Sequence, residues 1–421
     1  MDKFVIKGGN KLTGEASISG AKNSTLALMP ASILTSGNTA LENTPQLNDV
    51  YTMKKLLQHL GLEIDFTDST LKINSENIKH FDAPYEHVKK MRASVYVLGP
   101  LLSRFGEARV SLPGGCAWGP RPINLHIEAM KKLGAEIDLQ EGYIIAKARR
   151  LNGSQINFDI SSVGATGNTL MAAVLAKGET IINNAAIEPE ITQLGEFLVS
   201  MGAKINGIGT NKLEIQGVDE LNATSVKTIS DRIETGTLLI AGAITNGNIV
   251  LKNCDAGHLQ AVINKLEDAG CEISVGEDQI SLNAENVRLK ATDVSTAIFP
   301  GFPTDMQAQW TTLMCLANGT STITDNIYFD RFKHIPELMR LGADITTSRN
   351  SVVVKGVNKL IGAKVMSTDL RASACLVLAG LAAEGTTEVL RVYHLDRGYQ
   401  RIEEKLSALG ADIQRVAGQE F

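Results

Sequence analysis

The strongest constraint on the fold is a five-residue phrase that occurs six times. It reads Leu60-Gly61-Leu62-Glu63-Ile64, Leu133-Gly134-Ala135-Glu136-Ile137, Met201-Gly202-Ala203-Lys204-Ile205, Ala269-Gly270-Cys271-Glu272-Ile273, Leu341-Gly342-Ala343-Asp344-Ile345 and Leu409-Gly410-Ala411-Asp412-Ile413, with its glycines 68 to 73 residues apart. A glycine in this setting stops an amphipathic helix by taking a left-handed conformation, and the residues after it start a strand. A period of this length, sustained along the chain, marks six copies of one supersecondary unit.

A second glycine series, Gly37, Gly106, Gly178, Gly247, Gly319 and Gly385, lies 23 to 28 residues upstream of the first. Each of these glycines ends an apolar, small-residue helix and precedes a β-branched or aliphatic run such as Asn248-Ile249-Val250-Leu251. Each unit therefore reads strand, helix, strand, helix, strand pair. The sixth copy runs short, and the N-terminus matches what it lacks: residues 4–14 parallel residues 352–362 in residue class at nearly every place. The first strand is expected to complete the last repeat. The chain would then cross twice, near Gly20 and Ile229, giving an N-terminal domain over 22–229 and a discontinuous C-terminal domain over 1–21 and 230–421. First helices such as Thr237 to Ala243 and Ala374 to Ala383 carry few charges on any face, which predicts helices inside and sheets outside.

At 421 residues two domains are expected, since one core seldom serves so long a chain. A net charge of -5 without a basic run weighs against a nucleic-acid surface, whereas a small anionic ligand needs only a few local cations. No apolar run approaches a membrane span and the start lacks a signal-peptide core, so a cytoplasmic protein with no membrane partner is expected. The five cysteines, Cys116, Cys254, Cys271, Cys315 and Cys375, lack metal-ligand spacing and read as reduced thiols, four of them as small core residues.

The helix starts differ from copy to copy. Counting 14 to 15 residues back from the second glycine series reaches Lys22, Arg92, Arg232, Asp305 and Arg371, while the third copy has uncharged Ser162-Val163-Gly164. A lone cation usually belongs to solvated surface, and a cation at a helix N-terminus opposes the dipole. Several at equivalent starts favour a bound anion shared with the free backbone N–H groups. Asp305 and Asp369 could equally be ordinary N-caps, and His126 reads as helix surface or core rather than a base. Twelve residues forward of the same glycines stand Asp49, Glu190, Leu259, Arg331 and Arg397, each read as the start of a second helix. In copy two the arginine, Arg121, comes at fifteen, so the Gly- and Pro-rich loop 113–120 is about three residues longer and carries Cys116. No P-loop, HExxH or nucleophile elbow is present, and no metal site is predicted.

At these residues the chain resembles the enolpyruvyl transferase family over its whole length. The motifs are Ser19-Gly20-Ala21-Lys22-Asn23, Met91-Arg92-Ala93-Ser94, Leu112-Pro113-Gly114-Gly115-Cys116, Arg121-Pro122, Ser162-Val163-Gly164-Ala165-Thr166, Asp231-Arg232-Ile233-Glu234-Thr235-Gly236, the run 302–309 around Asp305, Asp369-Leu370-Arg371-Ala372-Ser373 and His394-Leu395-Asp396-Arg397-Gly398-Tyr399. The resemblance implies an α/β protein of two inside-out α/β domains, each of three βαβαββ-type repeats, with the active site in the interdomain cleft. It implies transfer of the enolpyruvyl group of phosphoenolpyruvate to a hydroxyl through a tetrahedral ketal, with release of phosphate and no cofactor. The Gly-Gly-Cys loop points to the branch whose acceptor is the 3-hydroxyl of UDP-N-acetylglucosamine, the first committed step of peptidoglycan synthesis. The sister branch, acting on shikimate 3-phosphate, is the nearest rival, and a non-catalytic repeat scaffold is a remote one.

The family's roles carry over position by position. Lys22, Arg121 and Arg397 are assigned mainly to the phosphate of phosphoenolpyruvate, Arg331 and Arg371 to its carboxylate, and Asn23 beside them. The nucleotide sugar is expected at Asn23, Arg92, the run Arg121, Pro122, Ile123, Asn124 and Leu125, then Ser162, Val163, Gly164, Asp305 and Ile327. Cys116 is assigned as proton donor, with Lys22 its rival, and as the thiol that fosfomycin alkylates. Asp305 is assigned to orient the hydroxyl and secondarily as base. Neighbouring cations should lower both pKa values, favouring thiolate at Cys116 and weakening Asp305 as a base. The chain departs from its relatives at Ile160, where Lys is common, at Asn124 in place of Asp, and at Trp118 and Pro120 in place of smaller loop residues.

Overall fold

The computed structural model describes residues 2–89, 91–112 and 123–418. The chain forms two compact units, Gly20–Ile229 and, together, Met1–Ser19 with Ser230–Phe421. Each has its own apolar core.

Each unit holds three four-stranded sheets of one topology. The third copy shows the plan without interruption. Strand Gln155–Asn157 leads into helix Val163–Ala173, which returns the chain to the parallel neighbour Glu179–Asn183. Helix Pro189–Ser200 follows, and the hairpin Lys204–Asn206 and Lys212–Gln216 closes the sheet antiparallel to Glu179–Asn183. The first strand and the hairpin thus flank the strand between the two helices.

Three sheets borrow strands from distant parts of the chain. Asp2–Lys7 lies antiparallel between Thr386–Leu390 and Asp412–Ala417, filling the hairpin place of the sixth copy. Two further exchanges went unread in the sequence. Thr13–Ser17 pairs in parallel with Asn248–Lys252 as the edge of the fourth copy, and Ser225–Lys227 does the same for Asn38–Glu42 in the first.

The first helices are buried on nearly every face. In Arg232–Ile244 every residue from Ile233 to Ile244 is buried, and in Leu370–Ala382 every residue from Arg371 to Leu381. The strands alternate instead, as in the exposed and buried places of Asn248–Lys252, so each sheet turns one face to the core and one to solvent. The second helices are amphipathic: Asn48–Leu60 buries Val50, Met53, Leu56, Leu57 and Leu60, at helical spacing. Helices therefore line the interior of each unit and sheets cover it.

All six glycines of the repeated phrase have positive φ, between 92° at Gly134 and 108° at Gly61, as a helix-ending C′ residue requires. The second series holds to this except at Gly247. There the left-handed place passes to Asn246, with φ 50°, and glycine is needed because a Cβ would lie 2.3 Å from the Leu12 carbonyl oxygen.

Candidate functional site

In the unit formed by both chain ends, the turn Thr304–Met306 precedes helix Gln307–Met314 and presents Asp305. Asp305 caps no helix. Its Oδ1 accepts from Arg331 Nη2 at 2.8 Å and its Oδ2 from Arg371 Nη2 at 2.7 Å. The arginine side chains are only 8% and 6% exposed while Asp305 is 27% exposed, so the carboxylate is the accessible member of the trio.

Burial opposes the charge on Asp305, but the Arg371 and Arg331 guanidiniums outweigh it and hold the carboxyl well below the usual range. Burial likewise works against Arg371, and Asp305 reverses the effect, raising its pKa. Two guanidiniums share one carboxylate, which leaves the trio net positive and suited to an anion. Each guanidinium spends a second N–H on a hydroxyl: Arg331 Nη1 on Thr304 Oγ1 at 2.9 Å, Arg371 Nη1 on Tyr399 Oη at 3.0 Å. Tyr399, 1% exposed, is anchored in turn by Thr237 Oγ1 at 2.9 Å and Gln309 Nε2 at 3.2 Å. Burial and Arg331 push His334 down to about 3, so it stays neutral beside the cations.

Arg371 is placed by its neighbour Asp369, the N-cap of Leu370–Ala382, which accepts from the N–H groups of Arg371 at 2.9 Å and Ala372 at 3.1 Å. Of the two readings open for these aspartates, Asp369 takes the capping one and Asp305 does not. Arg331 and Arg397 do not begin second helices. Helix Ile335–Arg340 starts four residues beyond Arg331 with His334 as its N-cap, and Arg397 closes the 3-10 turn Val392–Arg397 ahead of Ile402–Ala408. Fixed counting from a glycine does not register such irregular turns. Ile327 lies in the turn after Thr320–Thr324, its N–H bonded to Asp325 Oδ1 at 2.9 Å.

In the unit Gly20–Ile229, Lys22 opens helix Lys22–Ala31 and its Nζ lies 3.1 Å from Oδ2 of buried Asp49, in the first turn of Asn48–Leu60. Lys22 and Arg371 thus both have carboxylate partners within the protein. Asn23 beside Lys22 is exposed. Arg92 begins the 3-10 helix Arg92–Val97, and Asn124 begins Asn124–Lys132 with Ile123 as its N-cap and Leu125 buried behind it. Ser162 caps Val163–Ala173, its Oγ accepting from Ala165 N at 3.3 Å. A Cβ on Gly164 would lie 3.1 Å from Nε2 of His126, so the imidazole packs directly under this helix start. His126 is buried, pushed down to about 4 by that burial, and its Nδ1 lies 3.0 Å from Asn168 Nδ2. Ile160 is 68% exposed. Cys116, Trp118, Pro120, Arg121 and Pro122 lie outside the described residues.

Tyr399, Thr304 and Asp325 around the arginines, and Asn168 under Gly164, were not singled out in the sequence. Tyr399 and Thr304 stand within quoted motifs, which was their only signal.

Six repeats on this plan, with a carboxylate between two arginines, define a class. The family model for EPSP synthase (3-phosphoshikimate 1-carboxyvinyltransferase) matches residues 6–406, and the chain belongs to that family. Within it the chain is similar to proteins named UDP-N-acetylglucosamine 1-carboxyvinyltransferase. One from Chloroherpeton thalassium is 60% identical over 424 residues, covering 100% of this chain and 99% of that protein. One from Geotalea uraniireducens is 54% identical over 416 residues, covering 99% and 100%. Among solved structures, the enolpyruvyl transferase NikO from Streptomyces tendae superposes with a TM-score of 0.89 at 25% identity, covering 99% of each chain. EPSP synthase from Acinetobacter baumannii, at 18% identity and a TM-score of 0.76 over 99% of this chain and 100% of that one, shares the fold.

Proposed function

We propose that the protein transfers the enolpyruvyl group of phosphoenolpyruvate to the 3-hydroxyl of UDP-N-acetylglucosamine, releasing phosphate. The observation that carries this reading is the 60% identity to a carboxyvinyltransferase of that name along the full chain. The acceptor hydroxyl gives up its proton to a base as its oxygen bonds to C2 of phosphoenolpyruvate, and a proton is delivered to C3, giving a tetrahedral ketal. The bond from C2 to the phosphate oxygen then breaks, C3 returns a proton, and the enolpyruvyl ether and phosphate remain.

The residues meet the charge demands of these steps. Arg331 and Arg371 receive the carboxylate of phosphoenolpyruvate, and their forked guanidiniums can hold Asp305 and a second anion together. Lys22, Arg121 and Arg397 take the phosphate, with Asn23 alongside. The nucleotide sugar lies along Arg92, residues 121–125, the Ser162-Val163-Gly164 helix start and Ile327. Asp305, ionised and accessible, accepts the hydrogen bond of the sugar 3-hydroxyl and orients it. Its depressed pKa makes it a weak base, so orientation is its main contribution. Cys116 delivers the proton to C3, with Lys22 the alternative donor, and is the site of alkylation by fosfomycin. The chemistry uses no cofactor. The reaction belongs to peptidoglycan synthesis, supports cell wall, shape and division, and takes place in the cytoplasm with neither nucleic acid nor membrane as partner. Among the described residues, no helix is long and apolar enough to cross a membrane.

The test is phosphate release from phosphoenolpyruvate with UDP-N-acetylglucosamine, compared with shikimate 3-phosphate. Release with the UDP-sugar alone is expected. Release only with shikimate 3-phosphate would transfer the assignment to the sister branch, and release with neither would overturn the reading.

A further inference from the structure

We propose that Thr304 and Asp325 are positioning residues that tie the orientation of Arg331 to the turn bearing Ile327. Asp325 is fully buried, at 0% exposure, at the end of strand Thr320–Thr324. Its Oδ1 accepts from Thr296 Oγ1 at 2.8 Å and from the N–H groups of Ile327 and Tyr328, both at 2.9 Å, which fixes the turn. Its Oδ2 accepts from the Thr304 hydroxyl at 2.7 Å. That hydroxyl, its proton committed to Asp325, turns a lone pair to Arg331 Nη1 at 2.9 Å. The Tyr328 ring adds a second link from the turn, with its centroid 5.5 Å from the Arg331 guanidinium carbon.

A buried carboxylate with four donors is more than a turn needs. One of its oxygens serves the backbone of residues 327 and 328, and the other, through one hydroxyl, serves a guanidinium. Arg331 is consequently held at Asp305 on one side and at Thr304 on the other, and its many rotamers collapse to one before any ligand arrives. A hydroxyl polarised by an ionised acceptor also makes a better acceptor itself, which strengthens the contact to Arg331. The inference rests on the proposed function, in which Arg331 receives the carboxylate of phosphoenolpyruvate and Ile327 meets the nucleotide sugar. In that setting the two substrate contacts are joined by a chain of three hydrogen bonds through buried Asp325 and half-buried Thr304.

Threonine 304 can be changed without altering charge. T304V keeps the shape and removes both bonds, T304S keeps both, and D325N preserves the Oδ1 acceptor while replacing the Oδ2 acceptor by an amide. Steady-state kinetics on the full chain should show the KM for phosphoenolpyruvate raised about tenfold in T304V. The KM for UDP-N-acetylglucosamine should stay within about twofold, and T304S should be restored to wild-type values. D325N should raise the phosphoenolpyruvate KM in the same direction, which keeps the proposal testable should T304V fail to fold. An unchanged phosphoenolpyruvate KM in a folded T304V or D325N, or a T304S as impaired as T304V, would overturn the positioning role. A wild-type enzyme that does not turn over the UDP-sugar would instead overturn the proposed function, so the two failures are distinguishable.

Discussion

Asp305 is ionised throughout the pH range in which an enzyme of this kind works, because the attraction of Arg371 and Arg331 exceeds the penalty of burial. A carboxyl whose folded pKa is depressed contributes stability that is fully present above its unfolded pKa. That contribution is lost as pH falls through the folded pKa. The stability gap between wild type and D305N, measured by urea denaturation, should therefore be flat above about pH 5 and narrow at lower pH. A gap that changed between pH 6 and 8 would contradict the ionised state. The arginines tolerate conservative exchange poorly for a related reason. Arg331 reaches Asp305 and Thr304 with two different nitrogens, and the single ammonium of a lysine cannot span both. R331K should lower kcat/KM by roughly tenfold or more, chiefly through the KM for phosphoenolpyruvate.

Four of the five cysteines share one environment at the same scale. Burial pushes Cys254 and Cys271 up to about 11 and Cys315 to about 12, and also raises Cys375 well above the usual thiol value. All four are buried and free, as their apolar sequence settings suggested. Iodoacetamide at pH 7.5 should label a single thiol on the folded chain, and none in C116S. Labelling of two or more thiols, or persistent labelling in C116S, would remove the distinction drawn between Cys116 and the rest. Residue identity was well legible here and residue partnership was not. Asp305 and Arg371 stand 66 positions apart, and no local pattern states that one will face the other.

At the scale of elements, the starts of the buried helices were legible because caps and dipoles leave local signs. Asp231 accepts from the N–H groups of Ile233 at 2.9 Å and Glu234 at 3.0 Å at the start of Arg232–Ile244, and Asp369 does the same two copies later. D231A should cost about 1 kcal/mol of unfolding free energy by urea titration, the usual value of a lost cap. A loss below a few tenths would mean that tertiary packing, not the cap, fixes this helix start. The second helices were read less well where a 3-10 turn precedes them, as at Val392–Arg397. Such turns have no hydrophobic period, and neither has the irregular stretch 331–334, so spacing alone set Arg397 and Arg331 several residues too close to their helices. The strand exchanges at Thr13–Ser17 and Ser225–Lys227 were illegible for another reason. A short edge strand of mixed exposure looks the same whichever sheet it joins, and only pairing with Asn248–Lys252 or Asn38–Glu42 reveals its place.

For the whole molecule, these exchanges make the two units unequal as independent folding units. The segment Gly20–Ile229 contains every strand of its three sheets, including the edge strand Ser225–Lys227. The segment from Ser230 onward does not, since it depends on Asp2–Lys7 and Thr13–Ser17 from the other end of the chain. Without those strands Thr386–Leu390 and Asp412–Ala417 lose the partner that lies between them, and the core loses Phe4, Ile6 and Leu12, each 0% exposed. Each such side chain contributes roughly 1.5–3 kcal/mol by burial, so the three together approach the net stability of an ordinary domain. Three shortened chains test the consequence: residues 20–229, residues 230–421, and residues 1–19 joined by a short glycine linker to residues 230–421. The join is short because Asp231 N already donates to the Ser19 carbonyl at 2.9 Å. Residues 20–229 and the joined chain should unfold cooperatively in urea, whereas residues 230–421 alone should lack a cooperative transition and expose unpaired strand edges to aggregation. If residues 230–421 alone unfolded as cooperatively as the joined chain, Asp2–Lys7 would be an addition to a complete sheet and not the strand that completes it.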